Sequence, residues 1–157
     1  MIQTRILFIC HGNICRSVAA EMIMRHLAER EKCQELVISS AAVSNEEEGN
    51  DIYPPMKRAL IAHGIHCLHH TARKMTAKDY DEYDLLIGMD ADNIWRMQRI
   101  TEGDPENKMH LLLEYVDQPD KEVSDPWYTR DFERAYNDIF RGCTGLMEWI
   151  QIHRINE

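Results

Sequence analysis

Four short apolar runs punctuate the chain, at positions 5–10, 36–40, 84–89 and 109–113. None alternates cleanly between apolar and polar, so each reads as a strand buried on both faces. Between them the apolar positions fall at helical spacing. Val18, Met22, Ile23, His26 and Leu27 recur three and four residues apart. So do Met56, Leu60 and Ile61, in a helix opened by Pro54 and Pro55 and closed by Gly64. Asp90 is placed to cap a third helix carrying Ile94 and Met97. A last helix carries Phe132, Tyr136, Ile139, Phe140, Cys143, Met147 and Ile150 on one stripe, with Gly142 and Gly145 expected to kink or interrupt it.

Strands alternating with helices predict an α/β fold, a parallel sheet with helices on both faces and right-handed crossovers. Ligands of such sheets gather beyond the carboxyl ends of the strands. Those ends fall at residues 10–17, at Ser40, at Asp90 and in the segment 114–127. The first of these is chemically crowded.

The chain has 157 residues, 44% of them hydrophobic, which predicts a single domain over 1–157 with a substantial core. No apolar run approaches the length of a membrane span or a signal peptide's apolar region, so a soluble, cytoplasmic protein without membrane contact is expected. Five cysteines at irregular spacing are no disulfide framework and fit a reducing compartment. A formal net charge of -9 argues against a nucleic-acid partner. Any anion must therefore be captured locally.

The stretch CHGNICRS, residues 10–17, is built for that capture. A loop curling over the start of a helix turns successive N–H groups inward, forming a nest that the helix dipole reinforces. Arg16 adds a planar fork for two oxygens of a tetrahedral dianion. The same field stabilises a thiolate at Cys10, making it a nucleophile, and the Ser17 hydroxyl can donate to the sulfur. Gly12 is expected to supply unusual backbone angles, and Asn13 tolerates the left-handed region. A cysteine closing a buried strand is ordinarily a small hydrophobe. The junction of strand and helix favours the chemical reading.

Further along, SDPWY at 124–128 offers Asp125 as a proton donor, stiffened by Pro126, with Trp127 and Tyr128 as aromatic walls for a flat substrate ring; a plain turn before the last helix is the simpler alternative. The acidic stretch NEEEGND, 45–51, follows the second strand; a solvated surface loop is the simpler reading, and a place on the same rim as Cys10 is the alternative. His63, His66, Cys67, His69 and His70 have metal-ligand chemistry, but nothing in their spacing promises convergence, so exposed or capping histidines are the simpler account and no metal is assigned. Tyr80 and Tyr83 sit in acidic company that some kinases prefer, although packing is the plainer role.

ILFICHGNICRS, followed by HTARKMTAKDYDEYDLLIGMDADN and then DPWY, resembles the low-molecular-weight protein tyrosine phosphatases over residues 5–150. The resemblance implies a three-layer α/β/α fold with a four-stranded parallel sheet, and hydrolysis of phosphotyrosine and small aryl phosphates through a cysteinyl phosphate. It implies Cys10 as nucleophile, Arg16 as phosphate-binding arginine and Asp125 as general acid. The phosphate-binding loop would comprise His11, Gly12, Asn13, Ile14, Cys15, Arg16 and Ser17. Ser40 and His70 would support Asn13 from behind, and Cys15 would be a redox partner for the nucleophile. No metal or organic cofactor is implied; the partners would be tyrosine-phosphorylated proteins or peptides, with inorganic phosphate as product. The chain departs from the family at His11, usually aliphatic, at Val18, often proline, at Trp127, more often tyrosine, and in the acidic loop. These changes bear on substrate preference.

Two other functions compete. A thiol-linked arsenate reductase on the same fold would need relay cysteines after the third strand, and residues 75–100 contain none. A phosphotyrosine-binding module without turnover would be expected to lose the thiol, the arginine or the acid. Among phosphatases, Ile14 favours phosphotyrosine over phosphoarginine, which is associated with threonine at that position.

Overall fold

The computed structural model describes residues 3–155, with side chains as far as His153, so the extreme ends of the expected 1–157 domain lie outside the described residues. Four strands, β1 (Thr4–Cys10), β2 (Leu36–Ala42), β3 (Leu85–Gly88) and β4 (Met109–Leu111), pair in parallel in the order β2-β1-β3-β4. The six α-helices of the described residues are α1 (Arg16–Arg30), α2 (Pro54–Ala62), α3 (Lys78–Glu82), α4 (Ala91–Thr101), α5 (Pro126–Thr129) and α6 (Phe132–Ile155). The architecture is the expected three-layer α/β/α.

The unbroken apolar character of β1 follows from its place. Ile6, Phe8 and Cys10 pack into the core beneath α1, α2 and α6, whereas Leu7 and Ile9 pack on the opposite face with Tyr80 of α3 and Met97 of α4. Connections from β1 and β3 leave toward opposite faces, and the crevice between them opens beyond Cys10 and Gly88. Among the described residues, no helix is long and apolar enough to cross a membrane.

Two expectations need correction, and the plainer reading of Tyr80 and Tyr83 holds. The run 109–113 is not all strand: β4 ends at Leu111, and Leu112–Tyr115 forms a 3-10 turn that drives Leu112 and Leu113 into the core. Gly142 and Gly145 do not interrupt α6, which continues to Ile155. They let that turn approach the helix: a Cβ at Gly142 would lie 2.5 Å from Leu112 Cγ, and one at Gly145 would run into the Tyr115 carbonyl. Tyr80 and Tyr83 are both buried, and the Tyr80 hydroxyl donates to Asp104 at 2.7 Å, so these rings pack instead of presenting themselves to a kinase.

Candidate active site

Only five residues lie between the end of β1 and the start of α1, and that tight turn places the Cys10 sulfur inside a ring of donors. The backbone N–H groups of Asn13 and Ser17 both lie 3.4 Å from Sγ. The Ser17 oxygen lies 3.0 Å from Sγ and itself accepts from the Asn13 side-chain amide at 2.9 Å, leaving its own hydrogen available to the sulfur. Asn13 takes the left-handed conformation, φ 62°, as its residue type allows. Gly12 does not. Its φ is ordinary, and its missing side chain matters because a Cβ there would lie 3.2 Å from Glu47 Cγ, so the glycine admits the acidic loop.

Arg16 opens α1 from a buried position. One guanidinium nitrogen donates to the Val123 carbonyl at 3.1 Å; the other lies 2.9 Å from Asp90 Oδ2 and 3.4 Å from Asp125 Oδ2. Burial works against its charge, but the charges of Cys10, Asp125 and Asp90 outweigh burial and raise its pKa above the ordinary value. Asp125 is held by its role as N-cap of α5: Oδ1 accepts from the Trp127 N–H at 3.0 Å, which leaves Oδ2 facing Arg16. Asp90 divides itself in the same way, Oδ1 capping α4 through the Asn93 N–H at 2.8 Å and Oδ2 on Arg16.

Above this floor lies a pocket of about 570 Å³. His11, Glu46 and Glu47 line one side, Asp92 and Arg96 of α4 the other, and Trp127 and Tyr128 complete the rim. Trp127 is backed by Tyr53, ring centroids 5.9 Å apart, and by Arg130, 5.4 Å from its ring. Cys15 lines the same pocket; burial first, then the Cys10 charge, pushes its thiol far above the ordinary range, so it is protonated at neutral pH.

The family model for low molecular weight phosphotyrosine protein phosphatases matches residues 5–156, the span that holds the ringed thiol, the buried arginine and the capping aspartate. The chain belongs to this family. It is 34% identical over 148 residues to the Bacillus subtilis low molecular weight protein-tyrosine-phosphatase YfkJ, covering 93% of this chain and 95% of that protein. The crystal structure of YfkJ superposes with a TM-score of 0.94 over 98% of both chains. The chicken low molecular weight phosphotyrosine protein phosphatase is 36% identical over 151 residues, 91% of this chain and 93% of that one. A Drosophila arginine phosphatase has the same fold, with a TM-score of 0.84 at 25% identity over 92% of this chain and 96% of that one.

Within this family member the supporting contacts are partly as expected and partly new. His70 Nε2 lies 2.6 Å from the Asn13 carbonyl. Ser40 does not join it: its hydroxyl donates to Glu21 of α1 at 2.6 Å, because β2 carries Ser40 alongside that helix. The further partner of Asn13 is the Arg73 N–H, 3.2 Å from Oδ1. Neither this contact nor the Arg16–Asp90 pair was visible in the sequence, although HTARKMT and the placement of Asp90 beyond β3 were the available signals. The histidine cluster disperses. His63 pairs with Glu133 at 2.6 Å, His69 lies 3.6 Å from Asp51, and His70 turns inward. Of the acidic loop, Glu46 and Glu47 reach the pocket, while Asp51 turns away to accept from the N–H groups of Ile52 and His70.

Proposed function

We propose that the protein hydrolyses phosphotyrosine through a covalent cysteinyl phosphate. The observation that carries this reading is the convergence on one crevice of Cys10 in its ring of donors, Arg16 and Asp125. The phosphoryl group takes over Arg16 from the two carboxylates and accepts from the loop N–H groups, which hold its oxygens as charge redistributes. Cys10 thiolate attacks phosphorus in line with the tyrosyl oxygen. Protonated Asp125 donates to that oxygen as the bond breaks, and phosphocysteine remains. Asp125, now ionised, takes a proton from water as the water attacks phosphorus; inorganic phosphate leaves and the thiolate returns. Residues 10–17 form the phosphate-binding loop, and Trp127 and Tyr128 flank the substrate ring.

Arsenate reduction by thiol relay finds little support in the cysteine positions. Cys143 is fully buried, its thiol donating to the Ala20 carbonyl at 3.7 Å, and of the five cysteines only Cys10 and Cys15 line the pocket. We place the protein in a reducing cytoplasm, acting on tyrosine-phosphorylated proteins as one domain over the whole chain. The test is a side-by-side assay of phosphotyrosine, phosphoserine and phosphoarginine peptides, an aryl phosphate, and arsenate with thiol. Turnover of phosphotyrosine and the aryl phosphate well above the rest is expected. Faster release from phosphoarginine, or thiol-dependent arsenate reduction, would replace the proposal.

A further inference from the structure

We infer that the Arg73–Asp79 ion pair is a positioning device for the catalytic loop, acting on Cys10 through Asn13. The inference rests on the reading of Cys10 as nucleophile. Asn13 is fully buried in a left-handed conformation, which a non-glycine residue keeps only when its surroundings hold it. Three side-chain or backbone contacts do so: His70 Nε2 on its carbonyl at 2.6 Å, the Arg73 N–H on Oδ1 at 3.2 Å, and its own amide on Ser17 Oγ at 2.9 Å. Two of the three come from residues 70–73, which belong to no helix or strand. That segment must itself be fixed.

One fixing point is lateral. The Ala42 N–H donates to the Arg73 carbonyl and the Met75 N–H to the Ala42 carbonyl, both at 2.8 Å, laying the segment along the end of β2. The other is the Arg73 side chain. Its two terminal nitrogens each lie 3.0 Å from a different oxygen of Asp79, and Asp79 Oδ2 also accepts from the Thr76 N–H at 2.8 Å. Asp79 is almost wholly buried, so its charge has these partners in place of water. A two-point fork fixes orientation as well as distance, which a single ammonium does not. The residue carrying the fork also carries the N–H that reaches Asn13. From Asn13 the path to the sulfur is short, through its own N–H at 3.4 Å from Sγ and through Ser17. The ion pair therefore sets the loop without touching substrate.

The test uses Asp79→Asn and Arg73→Lys in the full chain, with an aryl phosphate as substrate. Because misplacing a reacting group by a fraction of an ångström is costly, kcat should fall about ten-fold while KM changes less than about two-fold. Alkylation of Cys10 by iodoacetamide, followed by mass spectrometry of its peptide, should shift to higher pH in the same variants. The double variant Asp79→Asn with Asn13→Ala should lose no more kcat than Asn13→Ala alone, since both act through one contact. Unchanged kcat, an unmoved alkylation profile, or losses that add would each overturn the inference and leave the pair a matter of stability. Thermal melts keep all assays on folded protein. Where Asp79→Asn does not fold, Arg73→Lys, which retains both the charge and the backbone N–H, carries the kinetic, alkylation and double-variant readouts. The alkylation readout does not depend on which phosphoester is cleaved, so it separates failure of this inference from failure of the proposed function.

Discussion

At the floor of the pocket Asn13 and Ser17 are fully buried, Cys10 and Arg16 nearly so, and each makes two or more contacts within the protein. At the rim Tyr128 is 83% exposed, the Glu46 side chain is 66% exposed, and its partner His11 lies 3.1 Å away in reach of water. The difference teaches where each kind of effect belongs. Charges and donors at the floor act in a shielded medium, with the loop N–H groups already gathered round the sulfur and only Arg16 to be taken over from its carboxylates. Those at the rim are screened by water and salt, so they can bias which substrate enters but can do little for the reaction itself.

The sharpest way to break this comparison is at the sulfur. Cys10→Ser should abolish turnover while vanadate or phosphate still protects the protein in a thermal melt, because the loop N–H groups and Arg16 remain. Retained turnover would remove Cys10 from the mechanism. Arg16→Lys should lower kcat/KM by ~10²–10³-fold, comparable to removing one oriented donor from an oxyanion site, since an ammonium cannot bridge two oxygens. A loss as small as that of a rim substitution would erase the distinction between floor and rim.

Asp125 lies between the two regions, half tied into the α5 cap and half turned to Arg16. Asp125→Asn keeps a capping oxygen and removes the acid. The loss should therefore be large with phosphotyrosine, ~10²-fold or more, and several-fold smaller with an activated aryl phosphate whose leaving group departs without a proton. Equal losses on the two substrates would assign Asp125 to loop structure.

The floor was legible in sequence to the extent that it is local. Residues 10–17 are contiguous, and a strand end followed closely by a helix start points to a nest, even though contacts from elsewhere in the chain hold it in shape. Asp125 was legible as a proton donor or a turn residue before the last helix, whereas its cap on α5 was not. What could not be read were contacts between segments far apart in the chain. Arg73 reaches Asn13 across 60 positions, and Asp90 was legible as a helix cap but not as a partner of Arg16. Ser40 was assigned by resemblance to Asn13 and instead serves Glu21, because alternation along β2 decides which neighbour it meets. The glycines of α6 misled for a related reason. Propensity treats them as breaks, whereas here they are points of close approach for the turn after β4. α3 spans only five residues, too short for periodicity to register.

Cys15 sharpens the comparison through redox chemistry. Burial and the Cys10 charge keep its thiol protonated, so it does not compete as a nucleophile. On the proposed function peroxide should convert Cys10 thiolate to sulfenic acid, which removes that charge; the Cys15 thiol should then attack that sulfur, with water leaving as a Cys10–Cys15 disulfide forms. Wild type should recover most of its activity with dithiothreitol after a peroxide pulse, and Cys15→Ser substantially less, with sulfinic acid at Cys10 seen by mass spectrometry. Equal recovery would leave Cys15 a pocket-lining residue without a protective role.

The smallest effect is expected at the rim, where the acidic loop faces a site that must accept an anion. On the proposed function the phosphoryl group would be bound below, by Arg16 and the loop N–H groups, so Glu46 and Glu47, which line the pocket, should act mainly on the residues flanking phosphotyrosine. Glu48 is exposed outside the pocket lining, and Asp51 is occupied with the N–H groups of Ile52 and His70, so two carboxylates carry the bias. His11 lies 3.1 Å from Glu46, while Glu47 accepts from the Asn50 side-chain amide at 2.8 Å. Peptides with lysine beside phosphotyrosine should therefore be preferred over matched peptides with glutamate, by about two- to three-fold in kcat/KM, as fits exposed charges. The preference should fade between low salt and ~1 M salt, where the screening length falls to roughly 3 Å. Glu46→Gln with Glu47→Gln should abolish it at low salt while leaving turnover of a small aryl phosphate nearly unchanged. A lysine preference indifferent to both salt and the double substitution would have to come from packing on Trp127 and Tyr128, and the loop would then be solvated surface with no part in substrate choice.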